Sequence, residues 1–314
     1  MIAMTPAPLW RRWELPTWGL AAVIYTGWLS LTWWHAALPW YVILPLGAWF
    51  VAWFGHLQHE ALHGHPTSTA WINEALVFPA LALWYPYGIY RDSHLAHHLD
   101  WRLTCPIDDP ESFYVTPAQW QRMGPLRRAL LRANMTLLGR LVLGPALATW
   151  GLYLGEGRRL LSGDTAHLGI WVRHFAGMAL VVTWVVMVCD MPFWAYLLLV
   201  AYPGASLTML RSFAEHRPAQ RYEHRIAINR AEAPMGLLYL NNNLHAVHHA
   251  VPGLAWYEIP GFYRERRQEW ETGNGGFVWN GYRELFRRYL LTPKDHPVHP
   301  LYEDSHCPMP QPAA

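Results

Sequence analysis

Three groups of histidine in this sequence have spacings that can hold metal ions. Their members are His59 and His63; His94, His97 and His98; and His245, His248 and His249. The first pair is four residues apart, and each later group has the form HxxHH. On a helix, residues three and four positions apart share one face, so each group can direct its imidazoles toward a common point. The pattern predicts metal binding at all three places.

The number of imidazoles bears on the kind of metal site. Eight histidines exceed the four ligands of a usual zinc shell, which favours more than one ion. Taken alone, the first group reads His-Glu-x-x-His with Glu60 inside it, and that spelling also occurs in zinc proteases, where the Glu is the general base. Imidazole suits zinc, copper, iron and nickel alike, so the ligand type does not identify the metal.

The composition is that of a protein partly solvated by lipid. Hydrophobic residues make up 53% of the chain and charged residues 15%, and there are 20 tryptophans. A soluble domain has roughly 25% charged residues. The formal net charge of +2 is too small to indicate a nucleic-acid partner. We therefore expect an all-α integral membrane protein that does not bind nucleic acid.

Four segments are apolar enough to cross a bilayer, which takes about 20 mostly apolar residues. They are predicted at Trp18–Trp34, Trp40–Gly55, Phe175–Cys189 and Phe193–Leu210. Short uncharged or Pro-containing joints predict two hairpins. Two further apolar stretches, 71–90 and 135–154, are interrupted by proline, glycine or arginine, so we expect them to lie along the interface or on a helical cap.

The distribution of arginine predicts how the chain sits in the membrane. Neither hairpin turn contains arginine, whereas the termini and the long middle segment contain many. Arginine near membrane ends favours the cytoplasmic side. We expect a multi-pass protein with both termini, the cap and the metal site in the cytoplasm.

The remaining features of the chain predict little chemistry. Residues 1–292 form one membrane-embedded domain in this interpretation, and the Pro-rich tail 293–314 is expected to be loosely ordered, with incidental histidines at His296, His299 and His306. Three scattered cysteines, Cys105, Cys189 and Cys307, predict no disulfide scaffold.

The order HxxxH, HxxHH, HxxHH around two apolar hairpins resembles the membrane fatty acid desaturase and hydroxylase superfamily. The resemblance covers about residues 18–258 and implies a non-haem centre of two iron ions, with O₂ as co-substrate. In that family a histidine just after the fourth span often joins the ligands, and His216 is the matching candidate. The implied ligand set is His59, His63, His94, His97, His98, His216, His245, His248 and His249, with no catalytic residue beyond these ligands.

Several carboxylates near the histidine groups can orient the ligand imidazoles. Glu60, Asp92, Glu215 and Asp100 are candidates to accept the second N–H of a ligand imidazole. The acidic run 108–111 is expected to be a solvated loop or a contact for an electron-donor protein.

By resemblance, the chain is a desaturase of a fatty acyl or other lipid substrate. It has neither a His-Pro-Gly-Gly haem motif nor a CxxC pair, so a separate ferredoxin- or cytochrome-type donor is expected. The alternatives are a hydroxylase or ketolase of the same superfamily, a desaturase of a small amino-acid-like metabolite, and a membrane zinc protease using His59, Glu60 and His63.

Overall fold

The computed structural model describes residues 8–99, 102–302 and Cys307. Within these ranges the chain is mostly helical, and its strands are one parallel pair of two residues each, β1 (Ile228–Asn229) and β2 (Val278–Trp279). The α-helices in chain order are α1 (Leu9–Arg12), α2 (Leu15–Trp33), α3 (Trp40–Leu62), α4 (Ala70–Leu76), α5 (Tyr87–Leu99), α6 (Pro117–Arg122), α7 (Pro125–Asn134), α8 (Leu137–Leu161), α9 (Leu168–Val182), α10 (Phe193–Tyr196), α11 (Tyr202–Glu215), α12 (Met235–Leu238), α13 (His245–Ala250), α14 (Ile259–Glu265), α15 (Arg267–Gly273) and α16 (Tyr282–Tyr289). Short 3₁₀ helices lie at His35–Ala37 and Glu223–Arg225, and π-helical segments lie at Thr183–Val188 and Leu197–Ala201.

Four helices of the described chain are long and apolar enough to cross a membrane, judged by length and composition. They are Trp40–Leu62, Leu137–Leu161, Leu168–Val188 and Phe193–Glu215. Three of them contain predicted spans. The first predicted span is the 19-residue helix α2, which is not in this set; its Trp, Tyr, Thr and Gly residues make it less apolar.

Helices α2 and α3 form the first predicted hairpin, with the 3₁₀ helix as its turn. Gly27 permits their close approach, because a Cβ there would lie 2.2 Å from the ring of Phe50. Helix α3 runs on past the predicted end at Gly55 to Leu62, and Gly64 follows in the left-handed conformation with a φ of 92°. The helix therefore extends beyond its apolar part and carries His59 on its last turn.

The second predicted hairpin is formed by α9 with its π segment and by α10, a second π segment and α11. Gly204 brings α11 against α3, since a Cβ at this position would lie 2.4 Å from Val51. The last turn of α11 is thereby placed beside the last turn of α3. These two helix ends bring the first histidine pair and His216 to the same end of the bundle.

Segment 135–154, which we expect along the interface or on the cap, lies in helix α8. The helix is continuous for 25 residues although it contains Pro145. Arg140, in its first turn, is buried and turns back toward the cap: Nε donates to Asn134 O at 3.2 Å, and the guanidinium lies 4.0 Å from the centre of the Phe113 ring. These partners let an apolar helix accommodate the arginine.

Within segment 71–90, which we expect along the interface or on the cap, residues 77–86 pack against the hairpins. Leu81 and Leu83 are buried in the core formed by the hairpins. The irregular backbone here is hydrogen-bonded by side chains of the spans: Tyr196 Oη donates to Leu81 O at 2.7 Å, and His174 Nε2 lies 3.1 Å from Leu83 O. Non-helical backbone at membrane depth is tolerated where protein groups satisfy it in this way.

The described part of the C-terminal tail is packed against the cap, contrary to the expected loose order. Val298 forms a parallel bridge with Val115, and Cys307 is disulfide-bonded to Cys105. The two cysteines are 202 residues apart, so no local spacing could reveal the pair. The tail thus joins the loop that follows α5 to the rest of the cap.

Candidate metal centre

Three helix ends and one extended residue deliver the predicted ligands. His59 lies on the last turn of α3 and His63 directly follows it, while the HxxHH groups lie on α5 and α13. His216 follows α11 in extended conformation, with φ −129° and ψ 150°. The structure brings all nine predicted residues together in two groups.

One group contains five histidines and the other four. Within each group, one ring nitrogen of every histidine lies within 4.8 Å of a ring nitrogen of each other member. The five-histidine cluster is His59, His63, His94, His98 and His248, and the four-histidine cluster is His97, His216, His245 and His249. Each HxxHH group is divided between them. The i,i+4 pair of α5 enters the first cluster and that of α13 the second, while the remaining histidine of each helix joins the other cluster.

The contacts inside the clusters cannot all be hydrogen bonds. His98 Nε2 lies 3.0 Å from the Nε2 atoms of both His94 and His248. His216 Nε2 lies 3.1 Å from His97 Nε2 and 3.0 Å from His245 Nε2. An imidazole nitrogen has one N–H or one lone pair in its plane, so it can make only one such bond well. A shared cation satisfies all of these nitrogens together.

The spacing of the nitrogens fits a metal shell. With metal–nitrogen bonds of about 2.1 Å, ligands at right angles stand about 3 Å apart and opposite ligands about 4 Å apart. The measured separations of 3.0–3.1 Å match the first value. Moreover, His59 Nε2 and His63 Nε2 are buried and have no hydrogen-bond partner among the described residues. The donor set therefore fits two metal ions, each bound through imidazole nitrogen.

The protonation of the three imidazoles on α13 also suits metal binding. Burial, reinforced by neighbouring imidazoles, holds the pKa of His245, His248 and His249 well below the usual 6.5. These rings are therefore neutral near pH 7, the form that coordinates a metal.

Carboxylates hold the outer nitrogens of two rings. His97 Nδ1 donates to Asp109 Oδ1 at 2.8 Å, and His94 Nδ1 donates to Glu111 Oε1 at 2.9 Å. Such partners fix the tautomer in which Nε2 offers its lone pair to the metal.

These contacts correct part of the prediction for the acidic residues. Asp109 and Glu111 belong to the run expected to be solvated or to meet a donor protein, yet they contact ligand rings. Asp92 instead pairs with Arg91, with Nε and Oδ1 2.9 Å apart, and Glu60 Oε1 is 3.5 Å from His59 Nδ1. Asp100 lies outside the described residues. A sequence signal for Asp109 and Glu111 is their position 11 and 13 residues after His98. At that distance the loop after α5 can fold back onto the helix.

One tail histidine has a defined role in the packing, contrary to expectation. His299 is buried, and its Nε2 lies 2.9 Å from Thr104 Oγ1. The amide of Thr104 donates to Asp109 Oδ2 at 2.7 Å. His296 is exposed, and His306 lies outside the described residues.

We expect Asp109→Asn to weaken metal binding at the four-histidine cluster by about 10- to 100-fold, the usual effect of losing a group that orients a ligand. Both carboxylate oxygens of Asp109 accept, Oδ1 from His97 and Glu111 N and Oδ2 from Thr104 N. The side-chain amide of the variant would place its NH₂ against one of these N–H donors in either orientation. Chelator competition measures the affinity. Asp92→Asn removes a carboxylate two residues from His94 and serves as the control; an equal loss in both variants would contradict the assignment.

The fold and the paired clusters define a class: a helical membrane protein with two histidine clusters that could hold metal at one end of its apolar helices. The family model described as fatty acid desaturase matches residues 32–281, and the chain belongs to that family. This confirms the resemblance inferred from the histidine spacing. A search of curated proteins gives no match.

Proposed function

We propose that this protein is an O₂-dependent di-iron desaturase that introduces a C=C bond into a fatty acyl or other lipid substrate. The observation that carries the proposal is the division of nine histidines into clusters of five and four with Nε2 atoms 3.0–3.1 Å apart. Membership of the fatty acid desaturase family supports an oxidoreductase and an integral membrane protein. The residues that serve the reaction are the nine metal ligands.

In this proposal the two clusters hold one iron ion each. When bound, the pair supplies the ability to activate O₂ and to remove hydrogen from an unactivated C–H bond. The chain's own contribution is to present neutral nitrogens in fixed positions. Asp109 and Glu111 hold the outer nitrogens of His97 and His94, and burial of the clusters limits the access of water.

Electrons come in this proposal from a separate ferredoxin- or cytochrome-type protein. A cavity of about 290 Å³ reaches His249, the half-buried member of the four-histidine cluster. Ile226, Ala246 and Trp270 line the cavity, and Arg266 and Glu269 also border it. A mostly apolar opening beside a ligand imidazole gives a donor a short path to the metal, and we place the donor contact there.

We also propose that both termini and the metal centre face the cytoplasm. The absence of arginine from both hairpin turns supports this orientation. The Cys105–Cys307 disulfide weighs against it, because disulfides are uncommon in reducing compartments. The balance favours the cytoplasm because the arginine bias extends along most of the chain.

The zinc protease alternative finds little support in the geometry. His59 and His63 share their cluster with three further histidines. Glu60, which would be the general base, is buried, with Oε1 3.4 Å from Asn242 Nδ2 and Oε2 3.3 Å from Trp256 N.

Hydroxylation and desaturation would use the same metal centre, so only the product of the reaction distinguishes them.

The test is expression in a host with a simple lipid profile, with lipids and small metabolites analysed by mass spectrometry. We expect a new product two hydrogens lighter than a host lipid from the wild type and from Asp92→Asn, and none from His94→Ala or His248→Ala. A product heavier by one oxygen atom would indicate a hydroxylase or ketolase. An unchanged lipid profile with a new unsaturated small metabolite would indicate the amino-acid-like substrate. Identical profiles from the wild type and all variants would contradict the proposed enzyme activity.

A further inference from the structure

The C-terminal tail supplies the only lysine in the chain, Lys294. The tail follows the family region, which ends at residue 281. Lys294 is half-buried, and its backbone N–H donates to Met135 O at 2.8 Å. Its side chain therefore starts from an anchored backbone and points toward the metal centre.

Lys294 Nζ donates to two carbonyl oxygens at the end of α11, Phe213 O at 2.6 Å and His216 O at 2.9 Å. The last carbonyls of a helix have no partner within the helix. A cation there pairs with them and with the negative end of the helix dipole. Lys294 thus fulfils the role of a helix cap although it is contributed by a distant part of the chain.

The capped segment holds one member of the four-histidine cluster and a carboxylate close to another member. Glu215, the last residue of α11, lies 3.1 Å from His245 Nδ1, and His216 is itself a member of the cluster. At His216 the chain leaves the helix, and no other hydrogen bond to the carbonyl of His216 is described. Backbone bonds hold the residues on either side of His216, since Ala227 N donates to Glu215 O at 2.8 Å and Arg217 N donates to Arg225 O at 3.1 Å. Lys294 adds the bond to the carbonyl of His216 itself.

We propose that Lys294 is a positioning residue for the four-histidine cluster, fixing the end of α11 so that His216 reaches the second metal ion. This inference rests on the proposed function only in that the cluster binds a metal. Lys294 lies outside residues 32–281, which match the family model. The inference therefore gives the C-terminal tail a part in building the metal centre.

The experiment uses detergent-purified holoprotein and measures iron per chain and the rate of release to a chelator. Wild type is expected to hold two ions that leave in separate kinetic phases. In Lys294→Met, one phase is expected to accelerate about 10- to 100-fold, as for other groups that orient ligands, while the second is unchanged. Lys294→Arg retains donors for both carbonyls and is expected to stay within about threefold of wild type.

Arg288→Met is the matched control, because it removes an exposed cation that pairs with Glu284 on α16. It should leave both phases unchanged. Release from Lys294→Met that matches wild type, or that accelerates equally in both phases, would overturn the inference. If Lys294→Met does not fold, Lys294→Leu replaces it, and a Leu variant identical to wild type would also overturn it. A wild type that holds only one ion would instead contradict the proposed two-metal centre.

Discussion

His216→Ala is expected to reduce the bound iron from two ions per chain to about one and to lower product formation by more than about 100-fold. The four-histidine cluster would retain three ligands, and a cavity would replace the ring whose Nε2 contacts both His97 and His245. The five-histidine cluster does not contain His216, so its ion should stay. Loss of one ligand from the smaller set is more damaging because fewer nitrogens remain to hold the metal.

The measurements for this variant are iron content by mass spectrometry and product yield in the same preparation. His296→Ala is the control, because His296 is exposed and lies outside both clusters. Two ions retained in His216→Ala would show that His216 is not a ligand. One ion retained with full product yield would show that the reaction needs only the five-histidine cluster.

Removal of both metals is expected to lower the melting temperature by about 10 °C or more. A metal that binds only the folded state stabilises it by mass action, and bound structural zinc contributes about 10–16 kcal/mol in small domains. Without a cation, Nε2 atoms of neighbouring rings face one another at 3.0–3.1 Å in the protein interior. Buried nitrogens without partners cost about 1–3 kcal/mol each.

Thermal unfolding of chelated and reloaded protein in detergent tests this expectation. Reloading with iron should restore both the melting temperature and product formation. Reloading with zinc should restore the melting temperature alone, because zinc binds imidazole but has no redox chemistry. A melting temperature that changes by less than about 2 °C on chelation would contradict a metal centre built into the fold. Product formation by the zinc form would contradict the redox role.

The local features of the site follow from helix periodicity. His59 and His63, or His94 and His98, must share a face wherever the backbone is helical, and no neighbour is needed to decide this. The apolar segments likewise required helices, because every backbone group in a bilayer must be bonded within the segment. For this reason the helical membrane fold and the grouping of the box histidines could be predicted.

Contacts between distant segments could not be predicted in the same way. Asp109 looked like part of a solvated acidic run, and it contacts His97 because the loop after α5 folds back on that helix. Leu81 and Leu83 lie in a segment expected along the interface or on the cap, and they are buried in the core of the hairpins, where Tyr196 and His174 contact their carbonyls. In each case the decisive partner lies 12 or more residues away.

The sequence by itself determined the helical membrane class and eight candidate ligands, because composition and periodicity are properties of each segment alone; the resemblance to the family added His216. Only the tertiary structure decided how those ligands divide. His97 and His98 are adjacent in sequence yet belong to different clusters, because they point about 100° apart around α5 toward different neighbouring helices. The same packing places Lys294 at the end of α11 and Asp109 behind His97. Such choices depend on which surfaces meet when the helices assemble, and no short stretch of sequence contains that information.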